Sequence, residues 1–100
     1  MRKTEMFEKI LNTVCLVIEV SRMEILSSNR REEVVDARTI LVRLLSDEGF
    51  YVSEIAGLMK KTSPGIRYLL KSFESRSRMR KFLKINMNDI QKYANDFYIR

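Results

Sequence analysis

Val52-Ser53-Glu54-Ile55-Ala56-Gly57-Leu58-Met59-Lys60-Lys61-Thr62-Ser63-Pro64-Gly65-Ile66-Arg67-Tyr68-Leu69-Leu70-Lys71-Ser72-Phe73 is the stretch whose reading decides the fold. Ile55, Leu58 and Met59 mark a two-turn helix, with Ser53 as its expected N-cap. Lys60-Lys61-Thr62 follows as a short turn. Ser63 then Pro64 is a strong helix start, an N-cap serine with proline at the first helical position. Ile66, Leu69, Leu70 and Phe73 continue that second helix along one face. A short helix, a tight turn and a second amphipathic helix make a helix-turn-helix arrangement. The turn lacks the usual glycine, and Ala56 and Gly57 are expected to let the two helices approach closely.

Working back from this stretch, the periodicity stays helical. Phe7, Ile10, Leu11, Val14 and Ile18 recur at helix spacing, which predicts a helix over 4–20. Ser21 and Glu24 form a capping box ahead of a short helix over 22–27. Ser28-Asn29-Arg30-Arg31 reads as a loop with a basic tip. Glu32 and Glu33 suit the first turn of a third helix, where the macrodipole favours anions. Val34, Ala37, Leu41, Leu44 and Leu45 give that helix a core face, and Gly49 ends it. Working forward, Met79, Phe82, Leu83 and Ile85 read as a short helix or an extended arm. Asn86 or Asn88 caps a last helix carrying Ile90, Tyr93, Ala94 and Phe97. No segment alternates with period two apart from Phe50-Tyr51-Val52. The expected class is all-α, a small bundle of five to seven helices containing the helix-turn-helix. The expected organisation is a single domain over 1–100, with the bundle in 4–75 and a basic segment plus amphipathic helix in 76–100.

Composition narrows the function. The 100 residues include no His and one Cys. Imidazole chemistry, Cys/His zinc sites and an intramolecular disulfide are therefore excluded. No cofactor is expected. Glu32-Glu33 and Asp47-Glu48 are adjacent pairs that point different ways on a helix, and nothing positions a Ser–Lys dyad, so no enzymatic activity is expected. The most apolar run, Val14 to Val20, is interrupted by Glu19 and is far shorter than the about 20 residues a membrane span needs. The chain reads as cytoplasmic, with no membrane partner and no evident small-molecule substrate.

The net charge of +6 is concentrated. Residues 1–50 carry eight Lys/Arg against nine Asp/Glu, and residues 51–100 carry eleven against four. Within 60–84, nine cations face Glu74 alone. Such a block is the electrostatic footprint of a polyanion binder.

The order of signals from Ile10 to Leu70 resembles the C-terminal DNA-binding domain (domain IV, of the TrpR-like helix-turn-helix superfamily) of the bacterial replication initiator DnaA. The matching residues are Thr13-Val14-Cys15, Val20-Ser21, Ile25-Leu26-Ser27-Ser28, Arg30-Arg31-Glu32-Glu33-Val34-Val35, Ala37-Arg38 and Val52-Ser53-Glu54-Ile55-Ala56. The resemblance implies a helical bundle that binds double-stranded DNA and a nucleoid-associated location. It places Arg30 at a basic-loop arginine that enters the minor groove, with Arg31 beside it, and Arg38 on another arginine of the family pattern. The family's base-reading signature Asp-His-Thr-Thr-Val is replaced here by Thr62-Ser63-Pro64-Gly65-Ile66. The family's target sequence is therefore not carried over. No GxxxxGK[ST] nucleotide loop is present, and the chain reads as a diverged, stand-alone relative.

The expected DNA-contacting residues are Arg30, Arg31, Lys60, Lys61, Thr62, Ser63, Pro64, Gly65, Arg67, Tyr68 and Lys71. Lys60 and Lys61 suit phosphates, and the Pro64–Gly65 helix start lets backbone approach an anion. Arg67 suits a bidentate contact to guanine in the major groove. The basic run Arg76, Arg78, Arg80, Lys81 and Lys84 is expected either to follow the DNA backbone or to be solvated. The alternative function is a protein-interaction module that docks an acidic partner. RNA is disfavoured, because the basic region lacks interleaved aromatics for base stacking. The last helix is expected to cap the core or to form a homodimer seam, and both monomer and homodimer remain open.

Overall fold

Residues 2–79, with side chains up to Arg76, and the single positions Asn88, Ile90 and Lys92 are described by the computed structural model. Five helices are described: α1 (Lys3–Ile18), α2 (Arg22–Leu26), α3 (Glu32–Asp47), α4 (Val52–Met59) and α5 (Ser63–Met79). No strand occurs among the described residues, and the class is all-α. Phe50-Tyr51-Val52 is no strand either, since Tyr51 is an extended residue leading into α4.

The organising element is α3, against which α1, α2, α4 and α5 all pack. The sequence assigns it one apolar face. The structure buries it nearly all round: Ile40 and Val42 join Val34, Ala37, Leu41, Leu44 and Leu45 in the core, and Asp36, Arg38 and Thr39 are buried too. A helix apolar on more than one side is the one other helices surround. Phe7, Ile10, Leu11 and Val14 of α1, Ile25 of α2, Ile55, Ala56 and Met59 of α4, and Ile66, Leu69 and Phe73 of α5 close around it. Burying each large side chain stabilises by about 1.5–3 kcal/mol. Cys15 is half-buried at the edge of this core.

The helix ends explain most of the boundaries. α1 stops two residues short of the predicted end, because Glu19 turns left-handed at φ 61° with its N–H on the Cys15 carbonyl. The capping box of α2 is present: the Glu24 N–H donates to Ser21 Oγ at 3.0 Å and the Ser21 N–H donates to Glu24 Oε1 at 2.9 Å. α3 ends in a Schellman motif. Gly49, at φ 92°, donates to the Ser46 carbonyl and Phe50 donates to the Leu45 carbonyl, each at 3.0 Å.

Four expectations are corrected. Ser53 is not the N-cap of α4. That helix starts at Val52, and the Tyr51 N–H is satisfied by Glu54 Oε1 at 2.8 Å. Ser63 is not the N-cap of α5 either. Thr62 holds that place, its hydroxyl accepting from the Gly65 N–H at 3.2 Å while its carbonyl accepts from Ile66. Gly57 does not bring the helices together: it is exposed with open space around it, and buried Ala56 fills that role. Finally, α5 runs on past Phe73 to Met79. Its extension carries Arg76, whose Nη2 donates to Asp36 Oδ1 on α3 at 2.7 Å. Arg76 therefore belongs to the bundle, not to a separate basic segment. Asn88, Ile90 and Lys92 are helical, and Ile90 is fully buried in the same core. Arg78, Arg80, Lys81, Lys84, Tyr93, Ala94 and Phe97 lie outside the residues whose side chains are described.

α4 and α5 are joined by three residues, Lys60–Thr62. Lys60 takes the left-handed conformation at φ 56° that glycine usually fills. Its N–H reaches the Gly57 carbonyl at 3.3 Å and the Lys61 N–H reaches the Ala56 carbonyl at 2.9 Å, a second Schellman motif. This is how the turn closes without a glycine.

Candidate nucleic-acid interface

The interface is built around the C-terminus of α2. Most of its last carbonyls find no backbone partner within so short a helix. Arg38, projecting from buried α3, supplies them: Nε donates to the Ile25 carbonyl at 2.8 Å, and Nη2 donates to those of Glu24 at 3.1 Å and Ser27 at 3.0 Å. Lys61, from the turn after α4, donates Nζ to the same Ser27 carbonyl at 2.7 Å. One backbone oxygen thus joins the basic loop to the turn that opens α5.

The loop itself is shaped by short polar side chains. Ser27 Oγ donates to the Glu24 carbonyl and accepts from the Asn29 N–H, and Asn29 Oδ1 accepts from the Arg31 N–H. This is turn chemistry of the kind Ser and Asn favour. It leaves Arg30 exposed at the tip.

The electrostatics report a concentration of like charge. Arg38 is held below its ordinary pKa by burial and then by the positive Arg30. Lys61 is lowered by burial and then by Arg38. Arg30, Arg38 and Lys61 therefore form a run of mutually repelling cations from loop to turn. A phosphate relieves that repulsion.

The candidate residues divide into groups. Arg30, Lys60, Arg67, Tyr68 and Lys71 are exposed, and their side chains have no hydrogen bond, ion pair or ring contact among the described residues. Arg67 and Lys71 lie one turn apart on the side of α5 away from Ile66, Leu69 and Phe73. Pro64 and Gly65 are exposed at the helix start, Ser63 is half-buried, and the Thr62 hydroxyl is engaged as the cap. Lys61 is half-buried and tied to Ser27. Arg31 pairs with Glu24 and, at 3.6 Å, with Glu33. Arg38 is 7% exposed and supports the loop from beneath. The role of Ser27 has no sequence signal, because its carbonyl is backbone.

Among the described residues, no three His, Cys, Asp or Glu side chains come together in a way that could hold a metal ion. No described helix is long and apolar enough to cross a membrane. What the arrangement presents is a cationic surface with a helix start on it.

Over 68 residues the chain is similar to a replication initiator. The relative is the chromosomal replication initiator protein DnaA of Pseudothermotoga lettingae, 32% identical across 67% of this chain. The match spans 15% of DnaA's own length. No family model and no solved structure matches.

Proposed function

We propose that this chain is a DNA-binding protein in which α4, the turn and α5 act as a helix-turn-helix, with α5 as the recognition helix in the major groove. Lys60 and the capped helix start take phosphates, Arg67 and Lys71 face the groove, and Arg30 reaches the adjacent minor groove or backbone. The observation that carries the reading is the junction at the Ser27 carbonyl. It fixes the basic loop and the α5 start to one another, so two separate cationic segments of sequence present one surface. The similarity to DnaA supports the same reading. The biological setting that fits is transcription regulation, replication or mobile-element maintenance.

The test is fluorescence anisotropy with a labelled random-sequence duplex over a series of salt concentrations. Each neutralised phosphate contributes about −0.9 to the slope of log affinity against log salt, so a slope of several units is expected. The combined Lys60→Ala, Arg67→Ala, Lys71→Ala variant should flatten it by about 2–3 units. No duplex binding even at low salt would sink the proposal. Polyglutamate serves as the competitor: if it displaces the duplex equally well per unit charge, the surface is a dock for an acidic protein, the second reading.

A further inference from the structure

The first turn of α5 offers almost nothing with which to read a base. Ser63 is half-buried, Pro64 and Gly65 carry no polar side chain, and the Thr62 hydroxyl accepts from Gly65. Readout therefore falls to the second turn. At 100° per residue, Arg67 and Tyr68 lie on either side of the row Pro64–Lys71, opposite the buried row of Ile66, Leu69 and Phe73. Side chains on a helix lean toward its N-terminus and cover the preceding turn. By that rule the side chain at Tyr68 covers the turn of Pro64 and Gly65, the two positions that put no competing polar side chain in its way.

Tyr68 is 69% exposed and has no hydrogen bond or ring contact among the described residues. It is a large apolar ring held on a face otherwise lined by cations. The major groove presents one apolar feature, the thymine 5-methyl group. We propose that Tyr68 is a specificity-determining residue whose ring packs on a thymine methyl beside the base pair met by Arg67. The inference rests on the DNA reading above and deepens it, since it names what the site selects.

Replacing thymine by uracil removes that methyl and leaves every hydrogen-bonding edge unchanged. Sites are first selected from random duplex. Each thymine of the selected site is then replaced in turn by deoxyuridine, and the affinities of the parent, Tyr68→Ala and Tyr68→Phe proteins are compared. For the parent, one position should lose about fourfold in affinity on substitution, the worth of one buried methyl group. Tyr68→Phe should keep that sensitivity and Tyr68→Ala should lose it while keeping the salt slope. Duplex binding with a normal salt slope but no methyl-sensitive position, or no selected consensus, overturns this inference alone. A Tyr68→Ala protein that still discriminates thymine from uracil also overturns it. Absence of duplex binding overturns the DNA reading together with it.

Discussion

Arg76 Nη2 donates to Asp36 Oδ1 across 2.7 Å, fastening the far part of α5 to the buried centre of α3. Asp36 is fully buried and the Arg76 side chain is 29% exposed. Removing one partner of a buried pair costs about 3–5 kcal/mol, and the partial exposure of Arg76 together with the further contact Asp36 keeps reduces this. Arg76→Met should lower unfolding free energy by about 2 kcal/mol in urea titration. It should leave duplex affinity of the folded protein unchanged. A variant with parental stability and weakened duplex binding would return Arg76 to the DNA-facing cations.

Arg38 makes three hydrogen bonds to the carbonyls that end α2. Arg38→Met keeps the apolar stem, leaves the Ile25 carbonyl unmet, and leaves the Glu24 and Ser27 carbonyls with only Ser27 and Lys61 as donors. The expected loss is about 3 kcal/mol, since hydrogen bonds from charged donors are worth more than neutral ones and unmet acceptors add their own penalty. Amide hydrogen exchange should show the loss first in residues 25–31. Uniform loss across all helices would contradict a local supporting role.

Lys60 sits at φ 56°, which costs a non-glycine residue about 1–2 kcal/mol. Lys60→Gly relieves that cost and adds chain entropy to the unfolded state, a net stabilisation of about 0.5–1 kcal/mol. If Lys60 takes a phosphate, the same variant should bind duplex more weakly and lose about 0.9 from the salt slope. Strained residues gather at functional sites. A Lys60→Gly protein that is more stable and equally good at binding DNA would show that this lysine takes no phosphate.

Three carboxylates are held below their ordinary range. Glu54 is lowered by the Lys3 ammonium and then by the Tyr51 N–H, Glu24 by the Ser21 N–H and hydroxyl, and Glu8 by Arg22. A depressed folded pKa adds stability that is complete above the unfolded value, about 4.3 for Glu, and is lost as pH falls through the folded value. Urea midpoints should therefore fall below about pH 4.3. Glu54→Gln should remove part of that fall and cost some stability at neutral pH, because Lys3 bridges α1 to α4 through both oxygens of Glu54 at 2.7 and 2.8 Å. An acid limb identical to the parent's would show that Glu54 contributes nothing to it.

The stretch from Val52 to Phe73 is readable because its determinants are local. Turn residues, apolar spacing and a proline near the helix start lie within a few positions of what they control. The misplacement of the two caps, by two residues at Ser53 and by one at Ser63, has a common origin. Ser53 and Ser63 are favourable cap types, yet extended Tyr51 with Glu54, and the hydroxyl of Thr62, start each helix earlier. Where determinants are distant, the sequence was silent. The continuation of α5 past Phe73 depends on Asp36, forty positions away. The burial of Ile40 and Val42 on a second side of α3 depends on where other helices pack. Lys61 and Arg31 read as free cations until the chain brought Ser27 and Glu24 beside them. The Lys/Arg block was readable as composition, and only its division into supporting and exposed members required the fold.

The oxygen shared by Arg38 and Lys61 belongs to the peptide backbone, and every amino acid supplies one. The joint between loop and turn therefore feels the side chain of residue 27 only through the path that its hydroxyl helps the chain take. Side chains at the loop tip and at the start of α5 are free to diverge without unseating the surface they share. A lineage using this scaffold can change what that surface presents while leaving its architecture alone, provided position 38 keeps an arginine and position 61 a long donor.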